Sequence, residues 1–101
     1  MPTFILLTRV SPDSVEAPRG FQVLEEEVAE RVGKACPELK WIANYALTGP
    51  YDYLDIFTAP DLESAMRVSA LVRSYGRSHS ELWPAVEWKA FKSMVSRLQP
   101  V

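Results

Sequence analysis

The chain has 101 residues, a formal net charge of -2 and a hydrophobic fraction of 48% against 24% charged residues, the composition of one globular domain over residues 1–101 rather than of a disordered segment. Its acidic balance supplies no basic face for nucleic-acid phosphates or an anionic bilayer, and no apolar run approaches the roughly 18 residues of a membrane span. Residues 1–10 lack the basic start and cleavage pattern of a leader, and the lone Cys36 has no internal disulfide partner, so the expected setting is the cytoplasm and the expected role of the thiol is a buried, unreactive one.

Residues 4–10 are apolar on both alternating faces, as in a central strand covered on each side. Ser11-Pro12-Asp13-Ser14 is a turn cluster, and Pro18 suits the first position of a helix, where its missing N–H costs nothing. Phe21, Leu24, Val28, Val32 and Ala35 then recur at helical spacing, with Glu25-Glu26-Glu27 on the wet face and solvation as their expected role. Gly33 and Pro37 end this helix. A second strand follows in which Leu39, Trp41, Ala43, Tyr45 and Leu47 alternate with Lys40, Ile42, Asn44 and Ala46.

Gly49-Pro50 reads as a turn needing glycine's conformational freedom. The third strand after it places Tyr51, Tyr53, Asp55 and Phe57 on one face and Leu54 and Ile56 on the other, the latter pair suited to pack against helices. Pro60-Asp61 stops the strand, and Asp61 is a natural N-cap for a helix whose inner stripe is Leu62, Ala65, Met66, Ser69, Val72 and Tyr75, closed by Gly76. Residues 77–83 read as a connection, residues 85–91 as a fourth strand and residues 92–98 as a short helix. Pro84, without a ladder donor, puts the fourth strand at a sheet edge.

The order βαββαβ predicts an α+β, ferredoxin-like fold: a four-stranded antiparallel sheet with two helices on one face, the first and third strands central. The other face, carrying Tyr53, Asp55 and Phe57, is too apolar to leave in water. A second copy of the chain is the expected cover, giving a homo-oligomer, in the first place a dimer.

Gly49-Pro50-Tyr51-Asp52 resembles the G-x-Y-D motif of the GYD-domain family. Ala59-Pro60-Asp61, Gly76, Lys89-Ala90-Phe91 and the opening Pro2-Thr3-Phe4 are similar to residues that the family carries in the same order. The resemblance implies a small dimeric α/β-barrel protein of a family whose role is largely unassigned. Between Gly76 and Val86 the chain departs from the pattern, with a longer Ser78-to-Pro84 segment.

Asp55 is the leading candidate for a binding role, because a carboxylate in mid-strand must find donors or shift its pKa, and Arg9 on the neighbouring strand is a candidate partner. Tyr53, Trp41 and Tyr45 are placed to line a small-molecule cavity with it on the open face. Tyr51 and Asp52 form the lip of a cleft, although turn chemistry alone accounts for both. His79, the sole histidine, is a loop residue with no second ligand in view, so no metal and no cofactor is expected. No catalytic residue is assignable. A cofactor-free monooxygenase on the same barrel, using Asp55 or His79, is the enzymatic alternative, and a tautomerase working from Pro2 is a remoter one.

Overall fold

The computed structural model describes residues 1–10, 18–74 and 78–98. Its elements run β1 (Thr3–Arg9), α1 (Pro18–Ala35), β2 (Lys40–Ala46), β3 (Tyr53–Thr58), α2 (Leu62–Arg73), β4 (His79–Ala85) and α3 (Trp88–Ser96). The four strands form one antiparallel sheet in the order β2-β3-β1-β4, so the two most apolar strands occupy the centre. The fold is α+β and ferredoxin-like. The Ser11–Ser14 turn, the Phe21 and Leu24 side chains, and Tyr75 and Gly76 lie outside the described residues.

Directly opposed residues of an antiparallel pair share a face, and the register shows which face holds the helices. Phe4 and Leu6 stand opposite Phe57 and Asp55 on one side of β1 and opposite Pro84 and Leu82 on the other. Phe4, Leu6 and Phe57 join Val32 and Cys36 at the end of α1 and Ala65, Val68 and Val72 of α2 in the core, with the rings of Phe4 and Phe57 stacked 5.7 Å apart. The faces of β3 are therefore the reverse of the sequence reading. Phe57 is fully buried beneath the helices, and Tyr53 and Asp55 share its side, whereas Leu54 and Ile56 lie on the open face beside Leu7 and Ile5. Hydrophobicity alone could not orient the strand, because both of its sides are largely apolar.

Two shifts follow from local chemistry. The fourth strand is β4, six residues earlier than residues 85–91, in the segment read as a connection. Ser80 and Leu82 supply its inward side, and the Ser80 hydroxyl meets that of Ser69 on α2 at 2.9 Å. Pro84 sits in this edge strand, where one ladder donor is dispensable. Residues 88–96 form α3 instead, started by Glu87, whose carboxylate accepts from the Ala90 N–H at 3.2 Å.

The buried stripe of α2 is Ala65, Val68, Ser69 and Val72, rotated from the predicted one so that Leu62 and Met66 are exposed. Asp61 caps α2 as predicted, its Oδ1 accepting from the Ser64 N–H at 2.7 Å. At the other helix, Pro18 opens α1, Gly33 lies within its last turn, and Cys36 is buried just beyond its end.

Candidate functional site

A cavity of about 510 Å³ opens between α1 and the helix-covered side of the sheet, within the roughly 300–1,000 Å³ common for small-molecule sites. Each wall comes from a different element. β1 contributes Leu6 and Thr8, with Val10 just after it, β3 contributes Tyr53 and Asp55, and β2 contributes Trp41, Asn44, Tyr45 and Ala46. Glu25, Val28 and Ala29 of α1, Val72 of α2 and Ser78 complete it. The cavity is thus on the helix side of the sheet, not on the open face where the strand pattern put it.

The position of Trp41 depends on a bulge. Trp41 stands opposite Phe57, and Ala43, not Ile42, stands opposite Ile56, so the register shifts between Trp41 and Ala43. One extra residue reverses the alternation that the sequence shows for β2. Trp41 and Asn44 therefore share the helix side, while Ala43 and Tyr45 lie opposite Ile56 and Leu54 on the open side. The Trp41 ring meets Phe57 edge-on at 5.6 Å, and Tyr45 borders the cavity from the edge strand.

Asn44 is the partner of Asp55. Its Nδ2 donates to Asp55 Oδ1 at 2.7 Å, across a directly opposed pair. Arg9 is not the partner: it stands opposite His79, on the other side of the sheet. Burial pushes the Asp55 carboxyl above its ordinary value, the Asn44 hydrogen bond pulls it down, and the nearby Glu25 charge raises it again. Burial first, and then the charges of Asp52, Glu25 and Asp55, raise the Tyr53 phenol, which leaves it an uncharged hydroxyl at neutral pH. The half-buried Asp55 retains acceptor capacity beyond the one bond from Asn44, since a carboxylate offers about four lone-pair positions.

Asp52 holds the backbone together. Its Oδ2 accepts from the Val10 N–H at 2.7 Å, its N–H donates to the Thr8 carbonyl at 2.8 Å, and its carbonyl accepts from the Leu47 N–H at 2.8 Å. These bonds tie the end of β1 to the loop between β2 and β3. Gly49 in that loop adopts no left-handed conformation, and a Cβ there would meet open space. The turn therefore does not need glycine, contrary to the reading from sequence.

Tyr51 is half-buried and does not line the cavity. His79 is on the opposite side of the sheet from Asp55, more than half exposed, with Nε2 3.8 Å from Glu81 Oε2. Pro2 is exposed, and its carbonyl accepts from the Ala59 N–H at 3.2 Å, at the end of β1 away from the cavity. Among the described residues, no group of three or more His, Cys, Asp or Glu side chains is arranged to hold a metal ion, and no helix is long and apolar enough to cross a membrane.

The structure brings Asp55, Tyr53 and Trp41 together on the helix side, has Tyr45 border the cavity from a position that faces the open side, and leaves Tyr51, Asp52 and His79 outside the cavity lining. Sequence reading missed Asn44, Glu25 and Thr8. Pairing Ala46 with Tyr53 across the loop would have set Asn44 opposite Asp55. Glu25 carries no local signal, because its place depends on how α1 lies over the sheet.

A family model described as "GYD domain" matches residues 4–95. A protein of Thermus thermophilus named "Glutamine synthetase and cystathionine beta-lyase binding protein" is 29% identical over 80 residues, spanning 75% of this chain and 79% of its own.

Proposed function

Because the chain belongs to the GYD domain family, whose match covers β1 through most of α3, we propose that it is a homodimeric binding domain that holds a small molecule in the cavity between α1 and the sheet. The observation that carries this reading is the half-buried Asp55 carboxylate, oriented by Asn44 in a largely apolar cavity of about 510 Å³. A small molecule in such a site is fixed by few polar groups and held by apolar contact. The name of the Thermus relative, a binding protein, agrees with binding as the general role. Native mass spectrometry of protein purified without added ligand tests the proposal. A bound mass of a few hundred daltons, lost in Asp55→Ala, is expected; ligand-free protein that also ignores a small-molecule library in NMR titration would overturn it.

The enzymatic alternative, using Asp55 or His79, would have to work from one of them alone, since the two lie on opposite sides of one sheet. A second binding reading has support from the relative's name and from α3. Trp88, Phe91, Met94 and Val95 are exposed on α3, an apolar stripe on which a protein partner such as glutamine synthetase or cystathionine beta-lyase would dock. Co-elution with either purified enzyme, abolished in Phe91→Glu, is the expected outcome of that reading. Failure to co-elute with both would exclude it.

A further inference from the structure

We infer that the cavity between α1 and the sheet takes a small organic cation, an amine carried on an apolar body of about the size of an aromatic ring. The inference rests on the small-molecule reading above and specifies the ligand's charge. Two carboxylates, Glu25 from α1 and Asp55 from β3, border the same space, while no Lys, Arg or His lines it among the described residues. The cations along these strands do not offset them, because Arg9 and Lys40 stand opposite His79 and Thr58, on the other side of the sheet.

The charge imbalance has a direct physical consequence. The exposed Glu25 charge opposes the charge on the half-buried Asp55, whose own burial is already unfavourable. An ammonium group entering between them relieves both penalties and takes up the acceptor capacity that Asn44 leaves on Asp55. An anion would add a third negative charge, and a neutral group would leave the imbalance in place. The remainder of the ligand meets Leu6, Val28 and Val72, which favour an apolar body, and the Trp41 indole beside them favours a cation over an anion.

Three molecules of one shape and different charge test this: phenethylamine, phenethyl alcohol and phenylacetate, titrated into the full chain and followed by calorimetry and by amide NMR shifts of Thr8, Asn44 and Asp55. The amine should bind at least about tenfold more tightly than the alcohol, a difference near 1.4 kcal/mol, and phenylacetate more weakly than either. Glu25→Gln and Asp55→Asn should each narrow the gap between amine and alcohol by weakening the amine more than the alcohol. Glu25 is exposed, so its variant separates the charge effect from any loss of folding. Equal or tighter binding of the alcohol or of phenylacetate would overturn the cation assignment and leave the cavity as a binding site. Absence of shifts with all three would overturn the cation assignment and count against the cavity reading too.

Discussion

At Asp52 and Gly49, two residues of one short motif have unequal physical duties. Asp52 joins β1 to the β2–β3 loop through its carboxylate and both of its backbone groups, whereas Gly49 meets no close neighbour and needs no left-handed backbone. Asp52→Ala should cost about 1.5–3 kcal/mol, the usual worth of a hydrogen bond to a charged group. Gly49→Ala should be neutral or stabilising by up to about 1 kcal/mol, because it restricts the unfolded chain more than the folded one. Urea denaturation of both variants checks the contrast, and equal losses would contradict it.

Asp55 gives a pH signature at the same scale. Its carboxyl is raised in the folded protein, so the folded state holds that proton more tightly than the unfolded state does. Below the ordinary carboxylate pKa the group is protonated in both states and costs nothing. As pH rises through the window between the unfolded and the raised folded value, stability falls, and the loss persists at neutral pH. Asp55→Asn should therefore raise the melting temperature at neutral pH and match the parent in strong acid, since the new amide oxygen can still accept from Asn44. Melting curves across this range check it.

At the scale of elements, the interface of β4 with α2 contains a small polar pair within the apolar core. Ser69 and Ser80 are both buried, and their hydroxyls lie 2.9 Å apart. Removing one hydroxyl leaves the other with a poorer partner, such as the Ser69 carbonyl, 3.4 Å from the Ser80 hydroxyl. Ser69→Ala or Ser80→Ala alone should cost about 1–3 kcal/mol, and the double variant less than the sum of the two. A double-mutant cycle by denaturant unfolding measures the difference, and strict additivity would show that the hydroxyls are not coupled.

The cap of α2 has the opposite pH sense to Asp55. The hydrogen bond from the Ser64 backbone lowers the Asp61 carboxyl below its ordinary value. Its contribution is present above the unfolded pKa and is lost as pH falls through the folded one.

The described residues form an elongated body, with extents of 57 × 30 × 18 Å and a radius of gyration of 15.8 Å, against about 13 Å for a compact chain of this length. Among the described residues, α3 packs against no other helix or strand, and none of its residues is buried. The open side of the sheet presents Ile5, Leu54, Ile56 and Trp83 to solvent in a single copy. The two surfaces together motivate the homodimer. Ile56→Glu should convert a dimer to a folded monomer, because the Ile56 side chain faces away from the core. Size-exclusion chromatography with light scattering tests this, and a monomeric parent at high concentration would refute the dimer.

Local sequence carried the α+β class, the order of the seven elements, the central places of β1 and β3, and the N-cap at Asp61. Each of these depends on interactions within a few residues or on how apolar a strand is overall, and both are properties of the chain read locally. Which side of β3 meets the helices, where β4 begins and which residues border the cavity depend on packing between elements. The reason is physical: a strand apolar on both sides has no intrinsic inside, and a single bulge in β2 reverses the side that its alternation implies. Asp55 could be singled out as a carboxylate in mid-strand. That Asn44 orients it, that Glu25 shares its cavity and that Arg9 and His79 do not became legible only once the strands were paired and α1 was laid across them.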